Sequence, residues 1–114
     1  MIEFVIPIKT VNEANGSHGH WRVKANRRKA QRKISASYAS VRKPLPLPCA
    51  VTLIRLSAGT LDDDNLRVSL KSIRDGIADA YGLADNDPWF DWRYGQEKAK
   101  RGVYGVRIRI EGKS

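Results

Sequence analysis

Hydrophobic residues follow two different periods along this chain, and each period predicts one type of element. Residues 3–8 are mostly apolar and β-branched, which predicts a strand, and residues 50–56 predict a second, largely buried strand. Apolar and charged residues alternate over 90–94 and over 106–111, which is the pattern of two half-buried strands. The basic segment 96–102 lies between these last two strands, and we expect it to join them as a hairpin.

Two longer segments have the spacing of helices. The first covers 24–41, and its apolar stripe consists of Ala30, Ile34, Tyr38 and Val41. Its arginine and lysine residues lie largely off this stripe. The proline-rich segment 44–48 follows and predicts a stiff, extended connector, because alternate residues there lack an N–H.

The second helix has the clearest pattern in the chain. Its apolar face consists of Leu66, Leu70, Ile73, Ile77 and Tyr81. Aspartate and asparagine precede it, as N-cap residues do, and Gly82 follows it, as a C-terminal glycine does. Gly76 lies inside the helix, where glycine costs about 1 kcal/mol relative to alanine, and this predicts a close packing contact.

These elements occur in the order β-α-β-α-β-β. We therefore expect a single α+β domain over residues 1–114, with two helices packed on a small mixed sheet. A chain of 114 residues has no room for a second domain with its own core. No apolar run approaches the ~18 residues of a membrane span, and the N-terminus lacks the features of a signal peptide. We expect no membrane partner and a cytoplasmic location.

The charge of the chain indicates a partner. Lys and Arg number 21 against 12 Asp and Glu, and the net charge of +9 favours a polyanion such as nucleic acid. No acidic residue lies between Glu13 and Asp62, so the first helix is basic throughout. We expect this helix and the 96–102 segment to hold the DNA backbone without reading its sequence. The residues predicted to contact DNA are Arg27, Arg28, Arg32, Lys33, Lys98, Lys100 and Arg101.

The acidic residues are concentrated in one stretch. Asp62, Asp63 and Asp64 stand at a strand-to-helix junction, where each like-charge pair costs on the order of 1 kcal/mol. A second group, Asp85 and Asp87, follows the helix. If the two groups meet, they form an all-oxygen site that selects Mg²⁺ or Mn²⁺, and on a basic protein such a site indicates phosphodiester hydrolysis. The residues alone leave open whether the groups meet and whether the first is only a helix cap.

Three further residues are candidates for phosphate contacts. Lys71 lies seven residues after Asp64, about two turns along the same helix face, where it is either a phosphate contact or a plain exposed lysine. His18 and His20 lie in a glycine-rich segment without further zinc ligands. That setting is more typical of surface residues or phosphate contacts than of a zinc site.

The charged residues also form the motifs of a known family. The sequence resembles the RusA-type Holliday junction resolvases in three motifs, which here read Asp62-x-Asp64-Asn65-Leu66, Lys71-x-x-x-Asp75-x-Ile77 and Gly82-x-x-x-Asn86-Asp87. The length, the element order and the basic segment before the last strand are similar as well. Lys71 lies further along the helix than the family's lysine, and Asn86 stands where the family has aspartate.

This resemblance implies a homodimer that requires Mg²⁺ and cuts four-way DNA junctions symmetrically. It implies that the second acidic group returns to the first, and it is compatible with a phage or prophage origin and so with a bacterial or phage-infected cell. The catalytic residues that it implies are Asp62, Asp64, Asp87 and Lys71. The three aspartates would be the metal ligands, with Asp85 as the alternative third ligand.

The leading hypothesis is therefore a Mg²⁺-dependent, structure-selective DNA endonuclease that resolves Holliday junctions by paired phosphodiester hydrolysis, with Mn²⁺ as an alternative ion. A hypothesis from a different class is a non-catalytic, basic nucleic-acid-binding protein whose acidic cluster caps a helix. A third keeps the fold but changes the substrate to flaps or plain duplexes. Sensitivity to a chelator separates the first two, because binding alone survives removal of the metal.

Overall fold

The computed structural model describes residues 1–10, 21–42 and 44–113. The strands and helices are β1 (Ile2–Ile6), α1 (Trp21–Ser40), β2 (Cys49–Ser57), α2 (Asp63–Tyr81), β3 (Phe90–Lys98) and β4 (Gly105–Gly112). This confirms the predicted order and the single α+β domain with two helices and a mixed sheet. His18 and His20 lie outside the described residues. Within the described ranges, neither helix is long and apolar enough to cross a membrane.

The sheet has the strand order β1-β4-β2-β3. β4 pairs antiparallel with both β1 and β2, whereas β3 pairs parallel with β2. The predicted hairpin is therefore wrong, because β2 separates β3 from β4. The helix α2 carries the chain back so that β3 can run parallel to β2. The chain then crosses the end of β2, where the Ala99 N–H donates to the Ser57 carbonyl at 2.9 Å, and β4 enters between β1 and β2.

The core lies between the helices and one face of the sheet. α2 contributes the apolar face that its spacing predicts, and alternate residues of the strands pack against it. The fully buried side chains of this layer are Ile6, Val51, Leu53, Leu70, Ile73, Ile77, Val106, Ile108 and Ile110. The core thus fixes α2, and with it the residues of the candidate site, against the sheet.

The predicted apolar stripe of α1 is only partly right, because Tyr38 packs against the core but Ala30, Ile34 and Val41 are exposed. The buried positions of this helix are Gln31, Ser35 and Ala39, whereas Ile34 is 41% exposed and Val41 is 78% exposed. The helix thus turns a small, partly polar face toward the rest of the domain. Hydrophobicity did not predict this face because the contact depends on small side chains that let two helices approach closely.

Gly76 of α2 makes that close approach to α1. A Cβ atom at position 76 would lie 2.3 Å from the Arg32 carbonyl oxygen and 2.7 Å from Ser35 Cβ. This confirms the close packing contact that the helical glycine predicts. One turn further along α2, Arg32 donates two hydrogen bonds to the Asp79 carboxylate, at 2.6 and 2.8 Å. The glycine and the ion pair together set the orientation of the basic helix over α2.

Candidate active site and nucleic-acid interface

The first acidic group occupies the N-terminus of α2. Asp62 is the N-cap, and its side chain accepts a hydrogen bond from the Asn65 backbone N–H at 2.9 Å. Asp63 and Asp64 lie exposed in the first turn, where the helix dipole favours negative charge. Capping thus accounts for Asp62, but within the described residues the side chains of Asp63 and Asp64 make no hydrogen bond or ion pair.

The basic loop 98–101 lies beside the segment that leads into this group. The Gln96 side chain accepts from the Leu61 backbone N–H at 3.0 Å and donates to the Leu61 carbonyl at 2.7 Å. β3 ends at Lys98, and the connection that follows it crosses the end of β2. Lys100 and Arg101 are exposed in this connection. Sequence reasoning missed Gln96, because a polar residue at the end of a strand gives no local sign of a long-range bond. The two bonds of Gln96 therefore tie the end of β3, which leads into these basic residues, to Leu61, which directly precedes Asp62.

The second acidic group returns to the middle of α2. The helix ends at Gly82, whose left-handed backbone (φ 72°) turns the chain. Lys71 Nζ then lies 2.9 Å from Asp85 Oδ2 and 2.7 Å from Asp75 Oδ1, and Arg74 Nε lies 3.0 Å from Asp85 Oδ2. The loop after Gly82 therefore folds back, which the sequence left open.

These contacts shift the ionisation of both partners. The hydrogen bond from Lys71 holds the pKa of Asp85 below its ordinary value, against the opposing effect of partial burial, and the charge of Arg74 lowers the pKa further. Burial lowers the pKa of Lys71, but its bonds to Asp75 and Asp85 outweigh this and raise the pKa above its ordinary value. Both groups are therefore charged at neutral pH.

The depressed pKa of Asp85 predicts a loss of stability in acid. The ion pair stabilises the fold fully above the pKa of an unfolded aspartate, about 3.9, and this is lost as the pH falls through the lower folded-state pKa. The free energy of unfolding, measured from pH 7 to 2, should therefore favour the natural chain over Asp85→Asn near neutrality and by progressively less in acid. A difference that stays constant across this range would contradict the assignment.

The structure does not bring the predicted metal ligands into one cluster. Asp85 lies at Lys71, and Lys71 is seven residues, or about 10 Å along the helix axis, from Asp64. Asp87 accepts a hydrogen bond from the Trp89 backbone N–H at 2.9 Å at the start of β3. No three side chains of His, Cys, Asp or Glu in the described part of the chain form a ready metal site.

The first acidic group nevertheless has the donor chemistry that Mg²⁺ requires. This ion is commonly held by one or two carboxylates, with water and substrate phosphates completing its coordination. Asp64 is exposed, and Asp62 uses only Oδ1 as a cap, so both have carboxylate oxygens available. Asp62 and Asp64 would therefore be able to hold a divalent cation, and a third ligand from Asp87 or Asp85 stays a prediction from the motifs.

A basic groove runs between the two helices beside this group. Its volume is about 590 Å³, and it is lined by six basic side chains and a single acidic one, Asp75. The basic residues are Arg28, Lys29 and Arg32 from α1 and Arg67, Lys71 and Arg74 from α2. Of the residues predicted to bind DNA on α1, Arg28 and Arg32 line the groove, Lys33 lies exposed outside it, and Arg27 is half-buried.

Tyr94 of β3 positions two of these arginines. Its hydroxyl accepts a hydrogen bond from Arg74 Nη1 at 2.7 Å, and the Arg67 guanidinium lies 5.1 Å from the centre of its ring. Sequence reasoning treated this tyrosine as part of an alternating strand only. Its polar end instead holds the cations of the groove in place.

The opposite face of the sheet differs in its electrostatics. Three of its arginines and a lysine are paired with carboxylates, so these charges offset one another. These pairs are Glu3–Arg109, Glu97–Arg107, Asp91–Arg93 and Asp91–Lys113, at distances of 2.9, 2.7, 2.9 and 3.1 Å. α1, in contrast, has seven basic residues and no acidic one. The positive charge available to a polyanion therefore lies on the helical side.

The chain matches no protein-family model and no curated protein. The resemblance to the RusA-type resolvases accordingly stays a prediction from the motifs.

Proposed function

We propose that this protein is a Mg²⁺-dependent, structure-selective endonuclease that cuts branched DNA, with the four-way junction as its substrate. The observation that supports this most is the position of the exposed carboxylates at the start of α2. Along the chain they stand three residues before Arg67, which lines the groove of α1 and α2, and directly after Leu61, which is bonded to Gln96 at the end of β3 that leads into the basic loop 98–101. DNA phosphates bound by the groove and by the loop would hold the backbone over the acidic group.

Different residues would bind the DNA, hold the cation and offset negative charge. The basic side chains of the groove and the loop bind phosphates without reading bases. Asp62 and Asp64 would hold the divalent cation, which when bound supplies polarisation of the phosphodiester and a more acidic water. Lys71, two turns from Asp64, offsets negative charge on the DNA. Paired cuts on a two-fold symmetric junction favour a homodimer.

A specific observation favours the second candidate, a non-catalytic nucleic-acid-binding protein. Asp62 acts as a helix cap, and Asp85 is already neutralised by Lys71 and Arg74. In that case the groove and the loop would bind DNA, and the acidic group would serve the helix alone.

One experiment separates the two candidates. A labelled four-way junction is incubated with the protein in Mg²⁺ and in EDTA, and binding and cleavage are measured on the same samples. We expect cleavage in Mg²⁺ only, with binding in both. Binding without cleavage in either condition would reject the nuclease and leave the binding protein.

A further inference from the structure

The carboxylate of Asp85 is bound by two cations, Lys71 and Arg74, that also line the groove. It accepts a hydrogen bond from Lys71 Nζ at 2.9 Å and lies 3.0 Å from Arg74 Nε. A phosphate oxygen between a lysine and an arginine would make contacts of the same kind, because both anions are recognised by charge-assisted hydrogen bonds.

The Asp85 carboxylate leaves one hydrogen-bond donor of Arg74 without an acceptor. Arg74 Nε is buried, and among the described residues it is the one buried side-chain nitrogen or oxygen that makes no hydrogen bond. Its 3.0 Å approach to Asp85 Oδ2 is an ion pair without hydrogen-bond geometry. A tetrahedral phosphate directs its oxygens differently from a planar carboxylate and can therefore reach this N–H.

The Asp85 side chain can leave the site without unfolding the loop. The Asp85 carbonyl accepts hydrogen bonds from Trp92 Nε1 at 2.7 Å and from Arg74 Nη2 at 3.2 Å. The backbone is thus anchored independently of the carboxylate. Rotation of the Asp85 side chain alone would move its carboxylate away from Lys71 and Arg74.

The size of the groove restricts what enters it. A volume of about 590 Å³ is that of a pocket for a small ligand, and the groove lies between two helices packed closely at Gly76. A single strand can place a phosphate and its sugar in such a space, whereas a duplex has to stay outside it. Val68 and the aliphatic parts of the basic side chains offer apolar contact to the sugar.

We propose that the groove between α1 and α2 binds a single strand of DNA through its phosphates, and that one phosphate displaces the Asp85 carboxylate from Lys71 and Arg74. This inference rests on the proposed action on DNA and specifies its substrate, because a branch point is where a strand leaves its duplex. Asp85 then acts as an internal competitor that disfavours anions unable to replace it.

The test measures binding of a fluorescent single-stranded oligonucleotide in EDTA, so that cleavage plays no part. Asp85→Asn removes the competitor, and we expect it to bind the strand about five- to tenfold more tightly than the natural chain. Asp91→Asn is the matched control, because Asp91 also pairs with two cations but lies on the opposite face of the sheet. It should change the affinity by less than about twofold.

Lys71→Gln gives a second readout. It should weaken binding of the strand and lower the slope of log affinity against log salt by roughly 0.7, the contribution of one phosphate contact on a single strand. Thermal unfolding of each variant confirms folding. If Asp85→Asn does not fold, Asp75→Asn removes the other carboxylate bonded to Lys71, which leaves this lysine with Asp85 alone and should also tighten binding.

Equal effects of Asp85→Asn and Asp91→Asn would overturn the inference, as would a duplex that competes for the groove as well as a single strand does. These outcomes are independent of catalysis. A protein that cuts nothing but shows the Asp85 effect keeps the single-strand site and loses only the nuclease. A protein that cuts junctions without the Asp85 effect loses only the site.

Discussion

Replacing Gly76 with alanine is expected to lower the free energy of unfolding by about 3 kcal/mol, a cost in the upper range for overpacking. In a helix the same change normally stabilises by about 1 kcal/mol, so the sign is diagnostic. The new Cβ would lie 2.3 Å from the Arg32 carbonyl oxygen, a backbone atom that moves only if the whole helix α1 shifts. Denaturant unfolding of the two chains measures the difference.

Two controls isolate the helix contact. Gly59→Ala removes a glycine where a Cβ meets nothing within 4 Å, and it should leave stability nearly unchanged. Ser35→Gly removes the 2.7 Å side-chain contact but keeps the backbone one, so Gly76→Ala should cost less stability in a Ser35→Gly background than in the natural chain, without becoming neutral. A Gly76→Ala protein as stable as the natural one would show that the helices do not pack as described.

Replacing Asp64 with asparagine is expected to reduce cleavage of a four-way junction by at least about 100-fold, the equivalent of about 2.7 kcal/mol of barrier height. The change keeps the size of the side chain and removes its charge, which weakens the hold on a divalent cation. Asp64 is a cleaner test than Asp62, because the Asp62 side chain also caps α2 and so has a structural role besides any role in cation binding. Single-turnover cleavage in Mg²⁺ measures the effect.

Asp63→Asn is the matched control for this change. It removes the same charge one residue earlier in the same exposed turn, and we expect it to retain most of the activity. Junction binding by both variants should stay close to that of the natural chain, because neither residue lies in a basic surface. Cleavage by Asp64→Asn at the natural rate would remove the first acidic group from the chemistry.

The sequence predicted α2 well because three independent local signals agree there. The apolar spacing, the aspartates and asparagine near its start and Gly82 after its end all indicate this helix. The structure confirms the end at Tyr81, but the helix begins at Asp63, so Asp63, Asp64 and Asn65 lie inside it rather than before it.

The buried face of α1 was missed because Ser35 and Ala39 are less hydrophobic than the exposed Ile34. Close packing of α1 on Gly76 requires small side chains, and the pattern of hydrophobic residues does not indicate where small side chains are buried.

The wrong β3–β4 hairpin and the open position of Asp85 have a common physical cause, which is that both depend on contacts between residues distant in sequence. The alternation in β3 and β4 identifies each strand, but which strand lies between them depends on contacts distant in sequence. The return of Asp85 to Lys71 likewise depends on how the chain turns after Gly82. The bonds of Gln96 to Leu61 and of Tyr94 to Arg74 are long-range contacts of the same kind.

The most direct test of the proposed function maps the nicks on a four-way junction whose strands are labelled in turn, beside a linear duplex with the same arm sequences. The proposal predicts paired nicks at symmetric positions near the branch point, dependent on Mg²⁺, with the duplex left intact. Nicks spread along the arms, equal cutting of the duplex, or no nicks on a junction that the protein demonstrably binds would contradict it.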